Sequence, residues 1–286
     1  MKVAFFGTPE FCIPSLEALK KSRHEIVCVV TQPDRPSGRG KGVVFSPAKQ
    51  FALDNNIPVF QPLRISKEID EIFKNINADV IVTCAFGQIL RQNVIDFFKY
   101  GVVNVHASLL PKYRGACPIN FVLINGEKKT GVTIMQTDIG IDTGDMLYTV
   151  ETDIGETETA GELSKRLSVM GGEALVKTLD LIEKGRVKRT PQDHAESSYF
   201  PMLKKSDGRI DFAKSPQEIV NFIRGMNPWP MAFAGSSLGD IRIHNAHFND
   251  KGELVIDVVQ PPGKRPMKYK DFLNGYKEFK FDHEIV

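Results

Sequence analysis

MKVAFFGTPEFCIPSLEALKKSRHEIVCVVT, residues 1–31, is the stretch whose reading decides the fold. KVAFFG (2–7) and HEIVCVVT (24–31) are apolar runs rich in β-branched and aromatic residues, as expected of strands covered on both faces. PSLEALKKS (14–22) between them is amphipathic, and Pro14 sits where a first-turn proline is tolerated. Strand, helix and strand in that order form a right-handed βαβ unit of a parallel sheet.

The alternation continues outward. IPVFQ (57–61), ADVIVTCAF (78–86), GVVNVHA (101–107) and GVTIMQT (131–137) read as strands. SPAKQFALDNN (46–56), SKEIDEIFKNI (66–76) and RQNVIDFFKY (91–100) read as helices, with Ser46 an N-cap and Pro47 at the first helical position. The fold class that follows is α/β, a doubly wound, mostly parallel, Rossmann-like sheet. A long helical run over 158–185 carries an expected break at Gly171-Gly172. Residues 186–208 lose all periodicity and collect Pro, Ser, Asp and Lys, which is linker composition. Beyond lie one helical run (215–227) and short strands at 231–235, 240–248 and 253–260, a β-rich and barrel-like module. The division expected is 1–188 catalytic, 189–205 linker and 206–286 C-terminal.

Composition narrows the function. The 286 residues suit about two domains, and 37 Lys+Arg against 35 Asp+Glu leave +2, which excludes a globally basic binder but not a local basic patch. No apolar run reaches the ~18 residues of a membrane span, and the first residues meet Gly, Pro and Glu too early for a secretory signal. Cys12, Cys28, Cys84 and Cys117 are scattered, so neither a disulfide framework nor a metal site is expected. The expectation is a reduced, cytoplasmic protein without a metal.

Ligands of a doubly wound sheet bind beyond the carboxyl ends of its strands. That rule selects Gly7-Thr8-Pro9, Thr31-Gln32-Pro33, Ala85-Phe86-Gly87, residues 104–111 and residues 137–145. GTPEFC lacks the glycine spacing of a dinucleotide site, and no phosphate-loop motif occurs. In NVHASLLPKYRGACPIN, Asn104 and His106 are two apart on a strand and share a face. An amide beside an imidazole suits acyl transfer, where both can donate to an oxygen that gains charge. TDIGIDTGDM (137–146) offers three acids in a glycine-rich loop, and a carboxylate brought to the imidazole would hold its tautomer and help move a proton.

NVHASLLPKYRGACPI, followed by DIGIDTGDML, resembles the signature of the folate-dependent formyltransferases. GTPEF, TQPDRPSGRGKG and NPWPMAF extend the resemblance over essentially the whole chain. The resemblance implies transfer of a formyl group from 10-formyltetrahydrofolate to the α-amino group of methionine esterified to initiator tRNA. It implies a catalytic trio of Asn104, His106 and Asp142, with Asp142 orienting His106 and relaying the proton. It maps the folate site to Ser108, Leu109, Leu110 and Pro111, walled by the loop of Phe86, Gly87, Ile89 and Leu90 and by Ile139. Lys112-Tyr113, Cys117 and Phe86 depart from commoner family residues without removing a reacting group.

For the tRNA, the insert 34–42 holds Arg35, Arg39 and Lys41 against one acid, suited to phosphates and a groove edge. Lys184, Arg186, Lys188 and Arg189 form a second cationic tract, and Lys264, Arg265 and Lys268 a third. Three alternatives stand beside this reading: a formyltransferase acting on a small amine, a formyltetrahydrofolate hydrolase, and an RNA-binding protein with an idle enzyme fold. A monomer is the expected state.

Overall fold

The carboxyl end of one strand, Val102–His106, and the loops around it are what the fold exists to position. The computed structural model describes residues 1–37 and 42–282, the side chains of 35–37, 42 and 43 excepted. The chain divides into two compact units: 1–114, 131–152 and 165–199 form the first, and 115–130, 153–164 and 200–286 the second. These segments alternate along the chain, whereas composition suggested a linear division at 188 and 205. Residues 189–199, read as linker, belong to the first unit because Gln192 bonds to backbone there.

Strands of the first unit are β1 (Lys2–Gly7), β2 (Glu25–Val30), the short pair β3 (Arg35–Ser37) and β4 (Gly42–Val44), β5 (Val59–Phe60), β6 (Val80–Cys84) and β7 (Val102–His106). After β8 (Arg114–Gly115) come β9 (Lys129–Gln136), β10 (Met146–Asp153) and β11 (Tyr199–Phe200). The main sheet has the order β10-β9-β7-β6-β1-β2-β5. β1, β2, β5, β6 and β7 are parallel, and β9 runs antiparallel to β7. The order turns back between β1 and β6, the switch point at which such sheets open a crevice.

Helices are α1 (Ile13–Lys21), α2 (Pro47–Asp54), α3 (Ile65–Ile72), α4 (Gln92–Ile95) and, in the second unit, α5 (Pro118–Ile124). Ser46 caps α2 by accepting from the Lys49 N–H, as its sequence position foretells. α4 is far shorter than the helix read over 91–100. Phe97 and Phe98 both pack on Phe73, with ring centroids at 5.6 and 4.9 Å. Adjacent residues on a helix point in directions too far apart for that, so the backbone leaves the helix.

α6 (Ala160–Glu183) is one uninterrupted helix, without the break expected at Gly171-Gly172. These glycines serve close approach instead. A Cβ on Gly171 would lie 2.8 Å from Val105 Cγ1, and one on Gly172 2.7 Å from the Pro14 carbonyl. The sequence reading also passed over β10, whose alternating exposure is that of an edge strand.

The second unit contains α7 (Pro216–Met226), α8 (Tyr269–Gly275) and a four-stranded sheet of β12 (Ala232–Ala234), β13 (Ile241–Phe248), β14 (Leu254–Gln260) and β15 (Met267–Lys268). All its pairings are antiparallel. Ser215 and Glu218 close a capping box at the start of α7. Ile223, Ile241, Ile243, Val259 and Phe272 form the core. Among the described residues no helix is long and apolar enough to cross a membrane.

Candidate active site

The two residues that share a face of β7 are held in different ways. Asn104 lies beside Thr83 of β6 in parallel register, and Thr83 Oγ1 donates to Asn104 Oδ1 at 2.8 Å. The amide oxygen is thereby occupied, which leaves Nδ2 as the donating end. His106 is 5% exposed, and its Nε2 lies 2.9 Å from the Tyr113 carbonyl. A carbonyl only accepts, so Nε2 carries a proton in every state of the ring. Exchange of a proton is confined to Nδ1. That atom faces Asp142, with Oδ2 at 3.7 Å, an ion-pair separation longer than a hydrogen bond.

Asp142 arrives by an unexpected path. β9 is antiparallel, and its end at Gln136 pairs with Val103 rather than with His106. The Thr137 N–H donates to the Val102 carbonyl, so the loop over 137–145 starts at the amino end of β7 and carries Asp142 back. The strand-end rule picked this loop on the assumption of a parallel strand. Its shape is fixed internally: Asp138 Oδ1 accepts from the Gly140 N–H at 3.1 Å and from Thr143 Oγ1 at 2.5 Å. Gly144 passes so close to the Gln136 carbonyl that a Cβ there would lie 1.9 Å from it.

Three non-glycine residues around the site have left-handed backbone: Ala85 (φ 49°), Tyr113 (φ 59°) and Asp142 (φ 53°). Such conformations cost energy and persist only where surrounding contacts enforce them, which is typical of functional loops. Gln192 supplies one enforcing contact, since its Nε2 donates to the carbonyls of Asp142 (2.8 Å) and Gly144 (2.7 Å). Neither Tyr113 nor Gln192 stood out in the sequence as a site residue, and no local motif could have marked them.

The residues assigned to folate separate into two groups. Ile89 (82% exposed) and Ile139 (66% exposed) present apolar side chains on the loops after β6 and β9, apt for a flat ring. Gly87 is exposed, while Leu90 packs partly on the core. The Phe86 ring lies in the core against Phe6, so Phe86 offers backbone rather than a wall. Its carbonyl accepts from Thr8 Oγ1 and Gln32 Nε2, both at 3.1 Å, across the switch point. Ser108 is fully buried and donates to the Lys112 carbonyl at 2.9 Å, which shapes the turn. Leu110 is buried, Leu109 packs over Gly131, and Pro111 is half-buried.

The formyl transferase family model matches residues 1–179, and the formyl transferase C-terminal domain model matches residues 202–253. The chain belongs to the formyl transferase family. It is 52% identical to the methionyl-tRNA formyltransferase of Clostridioides difficile (strain 630), covering 96% of this chain and 97% of that one. It is 51% identical to the methionyl-tRNA formyltransferase of Acetivibrio thermocellus, covering 97% of each. The N-formyltransferase from Helicobacter canadensis, solved in complex with folinic acid and dTDP-3-aminofucose, shares the fold with a TM-score of 0.68. That likeness is at 23% identity, over 87% of this chain and 88% of that one.

Placement of the cations in this formyl transferase is mixed. Lys184, Arg186, Lys188 and Arg189 are exposed in the first unit, and Arg189 Nη2 donates to Gln136 Oε1 at 3.1 Å. Lys264, Arg265 and Lys268 are exposed in the second. Arg35 lies on β3, with its side chain outside the described residues, and Arg39 and Lys41 lie wholly outside them.

A different cluster, His24, Asp180 and Glu183, brings potential metal-ligand atoms within 4.8 Å of one another. Arg23 already bridges its carboxylates, with Nε 2.7 Å from Asp180 and Nη2 2.5 Å from Glu183. A guanidinium fills the role that a cation would take. It holds the Asp180 carboxyl below its ordinary range, and the Met1 amine does the same first of all for Glu183, with Arg23 adding to it.

Proposed function

We propose that the protein transfers a formyl group from 10-formyltetrahydrofolate to the α-amino group of methionine esterified to initiator tRNA, as a cytoplasmic monomer that needs no metal. The observation that carries this reading is His106 Nδ1, the ring's one exchangeable position, facing Asp142 beside an amide whose oxygen is tied back. In our reading Asn104 Nδ2 and protonated His106 Nδ1 donate to the formyl oxygen as it gains charge. Asp142 stabilises the imidazolium and relays the proton that the attacking amine loses as its C–N bond forms to the folate nitrogen that departs as the old C–N bond breaks. The incoming amine demands no strong base, because free α-amines titrate at roughly 7.7–8.0 and esterification of the carboxyl lowers that further, so stabilising the oxyanion is the harder task.

The donor's ring would rest on Ile89, Leu90, Leu109 and Ile139, with hydrogen bonds from the backbone of 86–87 and 108–111. The tRNA would meet Arg35, Arg39 and Lys41 of the insert and the two exposed cationic tracts. Residues 1–188 would supply chemistry, with 189–199 packed as part of the first unit, and 206–286 would supply tRNA contacts.

The deciding experiment incubates the protein with 10-formyltetrahydrofolate and methionine-charged initiator tRNA, with charged elongator tRNA, amino sugars and water as competing acceptors. Formylation of the initiator alone is expected. Equal use of small amines, or release of formate without acceptor, would overturn the assignment. Replacing His106 by Ala or Asp142 by Asn should cut turnover about a hundredfold, the scale of one lost oxyanion donor.

A further inference from the structure

Buried polar contacts link the two halves of the site by a route that passes through neither reacting group. Arg114 follows Tyr113, whose carbonyl fixes His106, and is itself 6% exposed. Its guanidinium donates to Gln192 Oε1 twice, from Nε at 3.0 Å and Nη2 at 2.6 Å. Nη2 also reaches His194 Nδ1 at 3.1 Å, and since arginine only donates, that nitrogen is the acceptor. The Arg114 N–H donates to the Ser198 carbonyl at 2.8 Å, which ties the same residue to the 194–198 segment.

Gln192, likewise 6% exposed, then spends both hydrogens of its amide on Asp142 and Gly144. The path closes a ring. His106 is fixed by the Tyr113 carbonyl, Tyr113 is bonded to Arg114, Arg114 holds Gln192, Gln192 holds Asp142, and Asp142 faces His106. Every link but the last is a covalent bond or a hydrogen bond of 2.9 Å or less, buried or partly buried. The last link is the 3.7 Å gap across which, in the functional reading above, Asp142 stabilises the imidazolium.

A glutamine is the side chain this position needs. Its oxygen takes the arginine fork while its NH2 satisfies two carbonyls, and no charged or apolar side chain does both. The backbone it grips is the strained one, because Asp142 stands at φ 53°. Without the donated bonds the strained backbone at Asp142 would lose two of the contacts that enforce it, and with them part of what sets the 3.7 Å separation from Nδ1.

We propose that Gln192 and Arg114 are positioning residues for the formyl-transfer reaction, which hold Asp142 at its working distance from His106. The inference rests on the functional reading above for its kinetics, and on the geometry alone for its structure.

The test uses the full chain with Gln192→Met, which keeps the volume and removes both bonding ends, and Gln192→Glu, which keeps the arginine contact and loses the donors. Both should lower kcat ~10–100-fold, the cost of about an ångström of misplacement, while KM for tRNA and donor stays within about twofold. In an Asp142→Ala background neither substitution should lower kcat further, because the residue it acts through is gone. Circular dichroism and thermal unfolding confirm that the compared variants are folded. A crystal structure of Gln192→Met should show the His106–Asp142 separation widened, and this readout needs no substrate.

A kcat near the parent value, an undiminished loss in the Asp142→Ala background, or an unmoved loop in the crystal would each overturn the proposal. Failure of the parent protein to formylate methionyl-tRNA would overturn the functional reading instead, and the crystallographic arm would still decide this one.

Discussion

Thr83 fixes the direction in which Asn104 can donate. Its hydroxyl donates to Asn104 Oδ1 with Oγ1 at 2.8 Å, which settles which end of the amide is left to donate, and parallel register puts the two residues side by side. Thr83→Val keeps the shape and deletes the donor. We expect kcat to fall about fivefold, the worth of one ordinary hydrogen bond. Asn104→Ala should cost about a hundredfold. Steady-state turnover of both variants checks the ranking, and a Thr83→Val loss as large as that of Asn104→Ala would refute it.

Phosphate contacts make tRNA affinity fall with salt in proportion to their number. Replacing Lys264, Arg265 and Lys268 together by glutamine should weaken tRNA binding and flatten the slope of log affinity against log salt by about two, at roughly 0.7–0.9 per phosphate. Filter binding over a salt series measures it. An unchanged slope would remove this tract from the interface.

His24 gives stability a pH dependence of definite sign. Burial holds its titration below the ordinary 6.5. The unfolded chain therefore takes up the proton first as pH falls, and the native state loses stability as pH drops through about 6.5 toward the lower folded value. Asp180 and Glu183, held down by hydrogen bonds to Arg23 and the Met1 amine respectively, add stability above their unfolded values that disappears only at more acid pH. Urea unfolding from about pH 7 to about pH 5 should show the decline, and His24→Asn should flatten it.

Thiol chemistry should separate the cysteines. Cys28 and Cys84 are pushed up to about 12 by burial, and Cys12 is pushed higher still. Cys117 is the half-exposed one. Labelling of the native protein with a thiol reagent should modify Cys117 first, and the other three only on unfolding. Rapid modification of Cys84 would contradict its burial.

Much of this was legible in the chain. The strands over 2–7 and 102–106 are visible because both faces of a central strand are covered, which leaves an unbroken apolar run. Asn104 and His106 pair by the two-residue period alone, and Ser46, Pro47 and Ser215 announce their helices. The misreadings share a cause: each depended on a partner remote in sequence. Gly171-Gly172 breaks a helix by propensity, yet Val105 and Pro14 need the space its missing side chains leave. Phe86 reads as a ligand wall until Phe6 is seen to take its ring.

The sequence by itself determined which residues are the candidates for the chemistry and which elements bear them, because side-chain alternation, capping and chain reversal are local and short-ranged. Tertiary structure alone decided that β9 runs antiparallel, that Tyr113 rather than Asp142 makes the bond orienting the imidazole, and that Gln192, 50 residues from Asp142, holds its loop. Those outcomes depend on backbone carbonyls, which every residue possesses. Which carbonyl a side chain finds is set by where the chain returns, and the identities of the residues do not encode it.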